Sequence, residues 1–356
     1  MRLVVTGGGT GGHVYPALEV ARLGKERGAE LLYLGSLRGQ EGKLCDERGI
    51  LFKGFPSEPL YSLRSARGWK SLSKLMSARK MAKRHLATAR PDVVFSTGGY
   101  SAGPVLAAAK ALGIPYVIHD GNSVPGRANR MFGKDAKAFL ATFFATERFY
   151  KERPVTRTGH PIRSELREAS QAPREKADGR PTILVLGGSQ GSAYLNEAVP
   201  TAISAVEVDA NVIHAAGPTN FAETCARVKG LGLENYRVEP YLASEQITDA
   251  YQEADLVVCR SGSTLAELAV FGLPSVLVPL PTSSENHQLH NAREFEAMSA
   301  ASIAEQEATP FTRTAREVVD WLSDAAKRRE ASDKLREWDV PDATERIWAH
   351  IEAGAR

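Results

Sequence analysis

The chain has 356 residues, of which 43% are hydrophobic and 24% are charged. This composition is typical of soluble globular proteins and excludes a fibrous, disordered or disulfide-scaffold protein. The length is too great for one comfortable hydrophobic core, so it predicts two domains. The three cysteines, Cys45, Cys225 and Cys259, have no metal-binding spacing and indicate a reducing compartment such as the cytoplasm.

Hydropathy and net charge indicate whether the protein crosses a membrane, is secreted or binds a charged partner. No apolar run approaches the roughly 18–20 residues that a membrane-spanning helix needs. Glycines follow Met1–Thr6 too early for the apolar region of a signal peptide, so we expect neither a membrane span nor secretion. The net charge of +3 by itself favours neither nucleic acid nor a membrane surface as a partner.

Short apolar runs rich in β-branched residues alternate with helical patterns along the chain. They predict strands at Leu3–Thr6, Glu30–Gly35, Val93–Ser96 and Tyr116–His119, then at Thr182–Leu186, Asn211–His214, Tyr236–Val238, Leu256–Cys259 and Ser275–Val278. Such alternation is typical of parallel strands joined by crossover helices. The pattern restarts after Pro181, so we expect two doubly wound α/β domains, a boundary near Gly159–Arg163 and a cleft between the domains.

The first predicted strand runs into a glycine-rich loop, Gly7–Gly12, followed by His13 and a helix expected to begin at Val14. Glycines let backbone N–H groups crowd around an anion at a helix N-terminus, so this loop is a candidate phosphate site. His13 is a candidate general base because imidazole titrates near neutral pH; a helix-capping or solvent-facing histidine is the alternative. No acidic residue ends the second strand at Leu34–Arg38, which disfavours a nicotinamide oxidoreductase.

The second half of the chain repeats this arrangement with the loop Gly187–Ser192 and a helix expected from Ala193. Two glycine loops, one in each domain, suit a ligand with a diphosphate near its middle. Glu267 falls in the first turns of a predicted helix, where a carboxylate can bind both ribose hydroxyls or only stabilise the helix N-terminus. The amides of Gln288 and Asn291 are suited to sugar hydroxyls.

Five motifs, in this order, resemble the MurG family of UDP-N-acetylglucosamine (UDP-GlcNAc) transferases. They are the first glycine loop with His13, Gly98–Pro104, His119–Asn122, Gly187–Gly191 and His287–Ala292. The resemblance extends from Leu3 to Pro341–Arg346, which is essentially the whole chain.

The resemblance implies a GT-B fold, with two Rossmann-like domains at residues 1–162 and 163–337 and a last helix, residues 338–356, that returns to the first domain. It implies an inverting transfer of GlcNAc from UDP-GlcNAc to the C4 hydroxyl of MurNAc in lipid I, giving lipid II for peptidoglycan synthesis. The first domain would receive the lipid acceptor at the cytoplasmic face of the membrane. The second domain would bind the donor.

The same resemblance implies roles for individual residues. His13 would be the catalytic base, and Tyr100 would lie beside the acceptor. Glu267 would bind the ribose, Ser189 the diphosphate, and Tyr241–Leu242 would lie near the uracil. The other residues implied for UDP-GlcNAc binding are Thr10, Gly11, Gly12, Asn122, Arg163, Ser263, Gln288 and Asn291.

The sequence departs from the family pattern at a few positions. The turn from Arg260 to Glu267 is one residue shorter than is usual. Asp120–Gly121 stands where the family usually has Glu-Gln, and His160 stands where it usually has Asn. The shorter turn leaves open a catalytically idle sugar-nucleotide-binding protein.

One basic segment reverses the sign of an otherwise acidic chain. Residues Pro59–Pro91 contain nine of the 45 Lys and Arg residues and none of the 42 Asp and Glu residues. Basic and apolar side chains together are typical of a segment in an anionic bilayer interface. The alternatives are a solvated basic helix and nucleic-acid binding. The residues predicted to contact the membrane are Trp69, Leu72, Leu75, Met76, Arg79, Lys80, Lys83 and Arg84.

Cofactors and partners follow from these interpretations. The chain contains no Asp-x-Asp motif, so we expect no obligatory metal and no cofactor. The expected partners are UDP-GlcNAc, lipid I and an anionic inner leaflet, without nucleic acid. Another GT-B UDP-sugar transferase, with a different lipid or small-molecule acceptor, is the main alternative function.

Overall fold

The computed structural model describes residues 1–58, 65–151, 153–173, 179–188, 190–206, 208–308 and 311–355. The chain forms two compact units, Met1–Arg163 with Val340–Arg356, and Ser164–Asp339. These bounds differ by one or two residues from those implied by resemblance. Trp338 and Asp339 belong to the second unit because the Trp338 ring packs 4.9 Å from Phe295 and Asp339 forms a 2.6 Å ion pair with Arg167.

The first unit is a parallel sheet with strand order β3-β2-β1-β4-β5-β6-β7. Its strands are β1 (Arg2–Gly8), β2 (Glu30–Ser36), β3 (Leu51–Phe55), β4 (Val93–Gly99), β5 (Tyr116–Asp120), β6 (Ala138–Ala141) and β7 (Thr156–Arg157). Its first helices are α1 (Gly11–Glu26), α2 (Glu41–Glu47), α3 (Ala66–Ala89), α4 (Ala102–Ala111) and α5 (Arg127–Gly133).

The second unit is also a parallel sheet, with order β10-β9-β8-β11-β12-β13. Its strands are β8 (Thr182–Leu186), β9 (Asn211–Ala215), β10 (Tyr236–Glu239), β11 (Leu256–Cys259), β12 (Ser275–Leu277) and β13 (Ala301–Ile303). Its helices are α6 (Ser164–Ala169), α7 (Ala193–Val206), α8 (Phe221–Gly230), α9 (Ser244–Glu253), α10 (Thr264–Phe271), α11 (His287–Ala297), α12 (Thr312–Ser323) and α13 (Ala325–Trp338). The last helix, α14 (Ala343–Gly354), belongs to the first unit.

All nine predicted strands are confirmed, and the structure adds β3, β6, β7 and β13. The predicted strands include the centre of each sheet, where burial on both faces requires a continuous apolar run. The added strands lie at or near the sheet edges and carry weaker signals. For example, β3 contains Lys53 and Gly54, and β7 has only two residues.

Two apolar layers enclose the first sheet. Leu3 and Val5 face one side with α1 and α14, whereas Val4 faces the other side with α3 and α4. This alternation is the period of two that a strand imposes on its side chains. Trp348 of α14 is fully buried in the first layer, so the last helix is an integral part of this unit.

In both sheets the strand order reverses beside the first strand, where β1 lies between β2 and β4, and β8 lies between β9 and β11. Ligands of open α/β sheets bind at the carboxyl ends of the strands at such a switch point. Each glycine loop follows the strand at its switch point. The topology therefore positions both loops as binding elements.

Candidate active site

The helix that follows the first glycine loop begins earlier than predicted. Helix α1 starts at Gly11, not at Val14, so His13 lies in its first turn. Thr10 is the N-cap in an extended conformation, and its carbonyl accepts from the N–H groups of His13 (3.0 Å) and Val14 (3.2 Å). Gly9 has a φ of +98°, which favours glycine. The loop therefore presents the first N–H groups of α1 at the carboxyl end of β1.

Thr97 at the end of β4 orients His13. Nδ1 of the imidazole lies 2.9 Å from the Thr97 carbonyl oxygen, and the Thr97 hydroxyl donates to the His13 carbonyl at 2.7 Å. A carbonyl can only accept, so the imidazole proton lies on Nδ1. Nε2 is then the basic nitrogen. This is the tautomer that a general base requires, with its orientation fixed at the other ring nitrogen.

Two side chains pack closely on the loop. A Cβ added at Gly7 would lie 1.9 Å from Oγ1 of Thr97, and one at Gly9 would lie 2.4 Å from the ring of Tyr100. The glycines thus let Thr97 reach His13 and let the Tyr100 ring lie against the loop. The structure brings Thr10, Gly11, Gly12, His13 and Tyr100 together at one end of the first sheet.

Asp120 organises the turn that carries Asn122. Its buried carboxylate accepts from the backbone of Asn122 (3.0 Å) and Gly126 (3.0 Å) and from Nδ2 of Asn129 (2.7 Å). Burial raises the pKa of Asp120, and these three hydrogen bonds oppose that rise. Asp120 therefore acts on the Asn122 backbone and shapes the half-buried turn that presents its amide.

Two buried histidines lie beside this turn. Nε2 of His119 donates to the Gly159 carbonyl at 2.8 Å, and the Thr142 hydroxyl lies 3.1 Å from Nδ1 of His160. Burial lowers the pKa of His119 to about 4 and that of His160 to about 3, so both are neutral at pH 7. A Cβ at Gly121 would lie 3.1 Å from the His160 ring, so His160 fills the space beside Gly121.

Arg163 belongs to the first unit and lies near the start of α1. Its guanidinium is 5.2 Å from the centre of the Tyr15 ring, and Tyr15 itself lies against Gly11. A cation over an aromatic face keeps its charge while its orientation is restricted. The structure therefore places this positive charge close to the first glycine loop.

The described residues of the second glycine loop also lead into a helix. Gly188 and Gly191 have φ angles of +88° and +75°, and α7 begins at Ala193 as predicted. Ser192 accepts at its hydroxyl from the N–H of Leu195 (3.3 Å) and from Arg260 (2.8 Å). Ser189, the residue implied for the diphosphate, lies outside the described residues.

Arg260 supports this loop by bonding to protein groups. Besides Ser192, its guanidinium donates to the carbonyls of Val278 (2.9 Å) and Pro279 (3.3 Å). Burial lowers the pKa of Arg260. The side chain thus joins the end of β12 to the start of α7.

Replacing Gly191 by alanine is expected to destabilise the second unit by about 1–3 kcal/mol, as overpacking and backbone strain typically do. The new Cβ would lie 2.0 Å from the Ala216 carbonyl oxygen at a positive φ. Gly188→Ala is the matched control, because its φ is also positive but no atom lies within 4 Å of the new Cβ. Urea unfolding measures both. Equal losses for the two variants would contradict the close contact.

Glu267 lies in the first turn of α10, and Ser263 is the N-cap of that helix. The Tyr251 hydroxyl donates to Oε2 of Glu267 at 2.6 Å. Tyr251 is only 1% exposed, and its ring lies 5.0 Å from that of Phe271. Glu267 is half-buried and is held by a rigid neighbour. The turn from Arg260, which we expected to be one residue shorter than is usual in the family, ends in the helix that carries Glu267.

The amides of α11 bond to nearby backbone. Oε1 of Gln288 accepts from the N–H of Leu280 at 2.9 Å, and Gln288 is half-buried. Asn291 is fully buried, and its amide donates to the Ser261 carbonyl at 3.0 Å. Asn291 therefore holds the turn before α10, whereas Gln288 lies nearer the surface.

Tyr241 and Leu242, the residues that the resemblance places near the uracil, differ in burial. Tyr241 is 53% exposed, and Leu242 is buried. Both precede α9, the helix that carries Tyr251. An exposed aromatic ring beside a buried leucine offers a flat surface on which a planar base can stack.

Helix α3 carries most of the basic segment, although residues 59–64 lie outside the described residues. Its inner face packs Ala78, Ala82 and Leu86 into the core. Its outer face has large exposed apolar side chains, Trp69 (63% exposed) and Met76 (67% exposed). Leu72 and Leu75 are half-buried, and the basic residues Arg79, Lys80, Lys83 and Arg84 are exposed.

The helices of the described residues include none with the length and hydrophobicity of a membrane span. Within the same residues, no three or more His, Cys, Asp or Glu side chains are arranged to hold a metal ion.

Sequence reasoning missed three residues that support the site. Thr97 and Tyr251 orient His13 and Glu267. Glu41 is fully buried under the first loop, where its carboxylate lies against Gly8, and burial raises its pKa. These contacts join residues far apart in the chain, so no local pattern signals them. Only Thr97 lies next to a recognised motif, Gly98–Pro104.

Comparison with known proteins agrees with this architecture. Residues 3–141 match the glycosyltransferase family 28 N-terminal domain, and residues 182–347 match the C-terminal domain of that family. A relative from Desulfitobacterium hafniense is 37% identical over 98% of this chain and 97% of its own. A relative from Halothermothrix orenii is 34% identical over 100% of both chains. Both are named UDP-N-acetylglucosamine–N-acetylmuramyl-(pentapeptide) pyrophosphoryl-undecaprenol N-acetylglucosamine transferase.

Among solved structures, Acinetobacter baumannii MurG is similar with a TM-score of 0.79 and 30% identity, covering 99% of both chains. The expected GT-B fold is therefore confirmed. Two glycine loops at two switch points, with the match of both domains, identify the chain as a member of the MurG family of UDP-GlcNAc-dependent glycosyltransferases.

Proposed function

We propose that the first unit binds the acceptor and supplies the base, and that the second unit binds the sugar nucleotide. The enzyme transfers GlcNAc from UDP-GlcNAc to the C4 hydroxyl of MurNAc in lipid I and so forms lipid II in peptidoglycan synthesis. The observation that carries the assignment is the fixed tautomer of His13, whose Nδ1 donates to Thr97. It leaves Nε2 as the nitrogen that can take a proton.

The proposed reaction is a single displacement. The acceptor oxygen attacks C1 of GlcNAc, the bond from C1 to the UDP oxygen breaks, and the proton of the acceptor hydroxyl passes to Nε2 of His13. UDP leaves as the diphosphate anion, so the anomeric configuration inverts. Tyr100 lies against Gly9, in the same loop that leads to His13, and we place the acceptor beside these residues.

The donor is assigned to the second unit by three features. The loop Gly187–Ser192 and the start of α7 offer N–H groups and a favourable helix dipole to the diphosphate. Glu267 would accept from both ribose hydroxyls, and the exposed ring of Tyr241 would stack on the uracil. Gln288 and Asn122 would address the GlcNAc hydroxyls, with Asn291 holding the turn beside them.

A crystal structure with UDP-GlcNAc tests this assignment. We expect the diphosphate at the Gly187–Ser192 loop and the ribose hydroxyls within hydrogen-bond distance of Glu267. A diphosphate bound elsewhere would overturn it. Acceptor identity is tested separately by UDP release with lipid I in comparison with other lipid-linked or small-molecule acceptors, where lipid I should be strongly preferred.

We further propose that the outer face of α3 binds an anionic bilayer at the cytoplasmic face of the cell membrane. On a helical projection at 100° per residue, Trp69, Met76, Lys80 and Lys83 lie within a narrow arc, opposite the buried Ala78. Exposed tryptophan and methionine with flanking lysines suit the boundary between headgroups and acyl chains. The lipid anchor of the acceptor makes such a surface useful.

Neutralising Arg79, Lys80, Lys83 and Arg84 to Gln is expected to weaken binding to liposomes containing anionic lipid by about tenfold or more. Each basic residue near such a surface contributes up to about 1 kcal/mol. Liposome co-sedimentation measures the effect. The control neutralises Lys229, Arg313, Arg316 and Arg329, four exposed residues of the second unit, with the same change in net charge. Equal losses in both variants would show that binding depends only on the net charge of the protein, and α3 would then not be the membrane-binding surface.

A further inference from the structure

The contact between Tyr251 and Glu267 extends the donor site beyond the residues that would touch the ligand. Glu267 is proposed to bind ribose, but its side chain has several rotatable bonds and sits at the start of a short helix. A carboxylate binds two neighbouring hydroxyls only when its plane is held in one orientation. The Tyr251 hydroxyl supplies such a restraint through a 2.6 Å hydrogen bond to Oε2.

Tyr251 is itself rigid. It lies on α9, is 1% exposed, and its ring packs 5.0 Å from that of Phe271 on α10. Aromatic packing of this kind fixes both the position and the tilt of the ring. The phenolic O–H therefore reaches Glu267 from a fixed point. Such a bond to a carboxylate is short and charge-assisted, which makes it stronger than a bond between neutral groups.

The bond also leaves the carboxylate able to bind a ligand. An ionised carboxylate has about four acceptor positions on its two oxygens, so the one bond that Tyr251 donates to Oε2 does not by itself saturate it. Glu267 is half-buried, so its carboxylate keeps a route to the surface that the buried ring of Tyr251 does not have.

We propose that Tyr251 is a positioning residue that orients the Glu267 carboxylate toward the 2′,3′-diol of the donor nucleoside. Tyr251 does not touch the nucleotide and acts only through Glu267. The proposal rests on the assignment of Glu267 to the ribose. It predicts that removing the phenolic oxygen weakens recognition of the diol and leaves recognition of the diphosphate intact.

The test compares the affinities of the full-length protein for UDP and for 2′-deoxy-UDP, which differ by one hydroxyl of the diol. Isothermal titration gives the two dissociation constants for wild type, Tyr251→Phe, Glu267→Ala and the double variant. We expect wild type to prefer UDP and Glu267→Ala to lose that preference. Tyr251→Phe, which keeps the ring packed on Phe271, is expected to reduce the preference about threefold or more. In the Glu267→Ala background the same change should have no further effect.

Two controls separate positioning from a general structural role. Tyr236→Phe removes the hydroxyl of another buried tyrosine in the second unit, one that bonds to His214 at 2.7 Å, and should leave the preference unchanged. With UDP-GlcNAc and lipid I, Tyr251→Phe should raise KM for the donor and change kcat by less than about twofold. A thermal melt confirms that each variant is folded.

The outcomes distinguish the two claims. If Glu267→Ala keeps the wild-type preference for UDP, the assignment of Glu267 to the ribose is wrong. If Glu267→Ala loses the preference but Tyr251→Phe keeps it, the ribose assignment stands and the role of Tyr251 is refuted. An equal loss of affinity for both nucleotides in Tyr251→Phe would also refute it, because that result reports damage to the unit as a whole.

Discussion

Replacing His13 by alanine is expected to lower kcat by about 10²–10⁴-fold, the range that a positioned general base contributes. KM for UDP-GlcNAc should change little, because His13 is not among the residues proposed to bind the donor and most of those residues lie in the other unit. The physical reason is the fixed tautomer: Nδ1 donates to the Thr97 carbonyl at 2.9 Å, so Nε2 can accept the proton of the acceptor hydroxyl. Steady-state UDP release with lipid I measures the effect.

A second variant separates the imidazole from the group that supports its backbone. Thr97→Val removes the hydroxyl that donates to the His13 carbonyl but keeps the carbonyl that accepts from Nδ1. It should therefore cost far less than His13→Ala. Activity of His13→Ala within a few-fold of wild type would show that another group takes the proton.

Lowering the pH from 7.5 to 5 is expected to reduce the free energy of unfolding by about 2 kcal/mol for each buried neutral histidine. Burial lowers the pKa of His119 to about 4, and those of His160 and His214 to about 3. In the unfolded chain these imidazoles titrate near 6.5. Below that pH the unfolded state binds protons that the folded state refuses, so stability falls until the pH reaches the folded-state pKa.

A single substitution isolates this effect. The buried carboxyls of Glu41 and Asp120 have raised pKa values, so their contributions change with pH in the opposite direction. His160→Asn removes one imidazole and leaves both carboxyls in place. Its loss of stability between pH 7.5 and pH 5 should be about 2 kcal/mol smaller than that of wild type. Urea unfolding at both pH values measures it, and identical losses would show that His160 is protonated in the folded state.

The central strands of both sheets, the two glycine loops and the family could all be inferred from the sequence. Strands buried on both faces must be apolar throughout, and such apolar runs predict β4, β5, β8 and β11. The loops could also be predicted from the sequence. Gly9 and Gly191 occupy backbone conformations that other residues rarely adopt, so glycine marks these positions. Both signals are local, since each is written within a few consecutive residues.

The start of helix α1 was predicted less accurately. The sequence predicted that α1 begins at Val14, but it begins at Gly11. Glycine is a poor helix former, so propensity argues for a later start. The Thr10 carbonyl, which accepts from His13 and Val14, overrides that preference in the folded chain. This shift places His13 in the first turn of the helix and so within reach of Thr97.

The local sequence thus determined the fold, the two glycine loops and the candidate base His13, because each depends on neighbours in the chain. Tertiary structure alone decided how those groups are held. Thr97 fixes the His13 tautomer across 84 residues, and Tyr251 fixes Glu267 from a different helix. Asn291, which the sequence predicted to bind sugar hydroxyls, is fully buried and its amide donates to the Ser261 carbonyl. Hydrogen bonds and burial depend on which residues meet in space, and only the folded sheets bring them together.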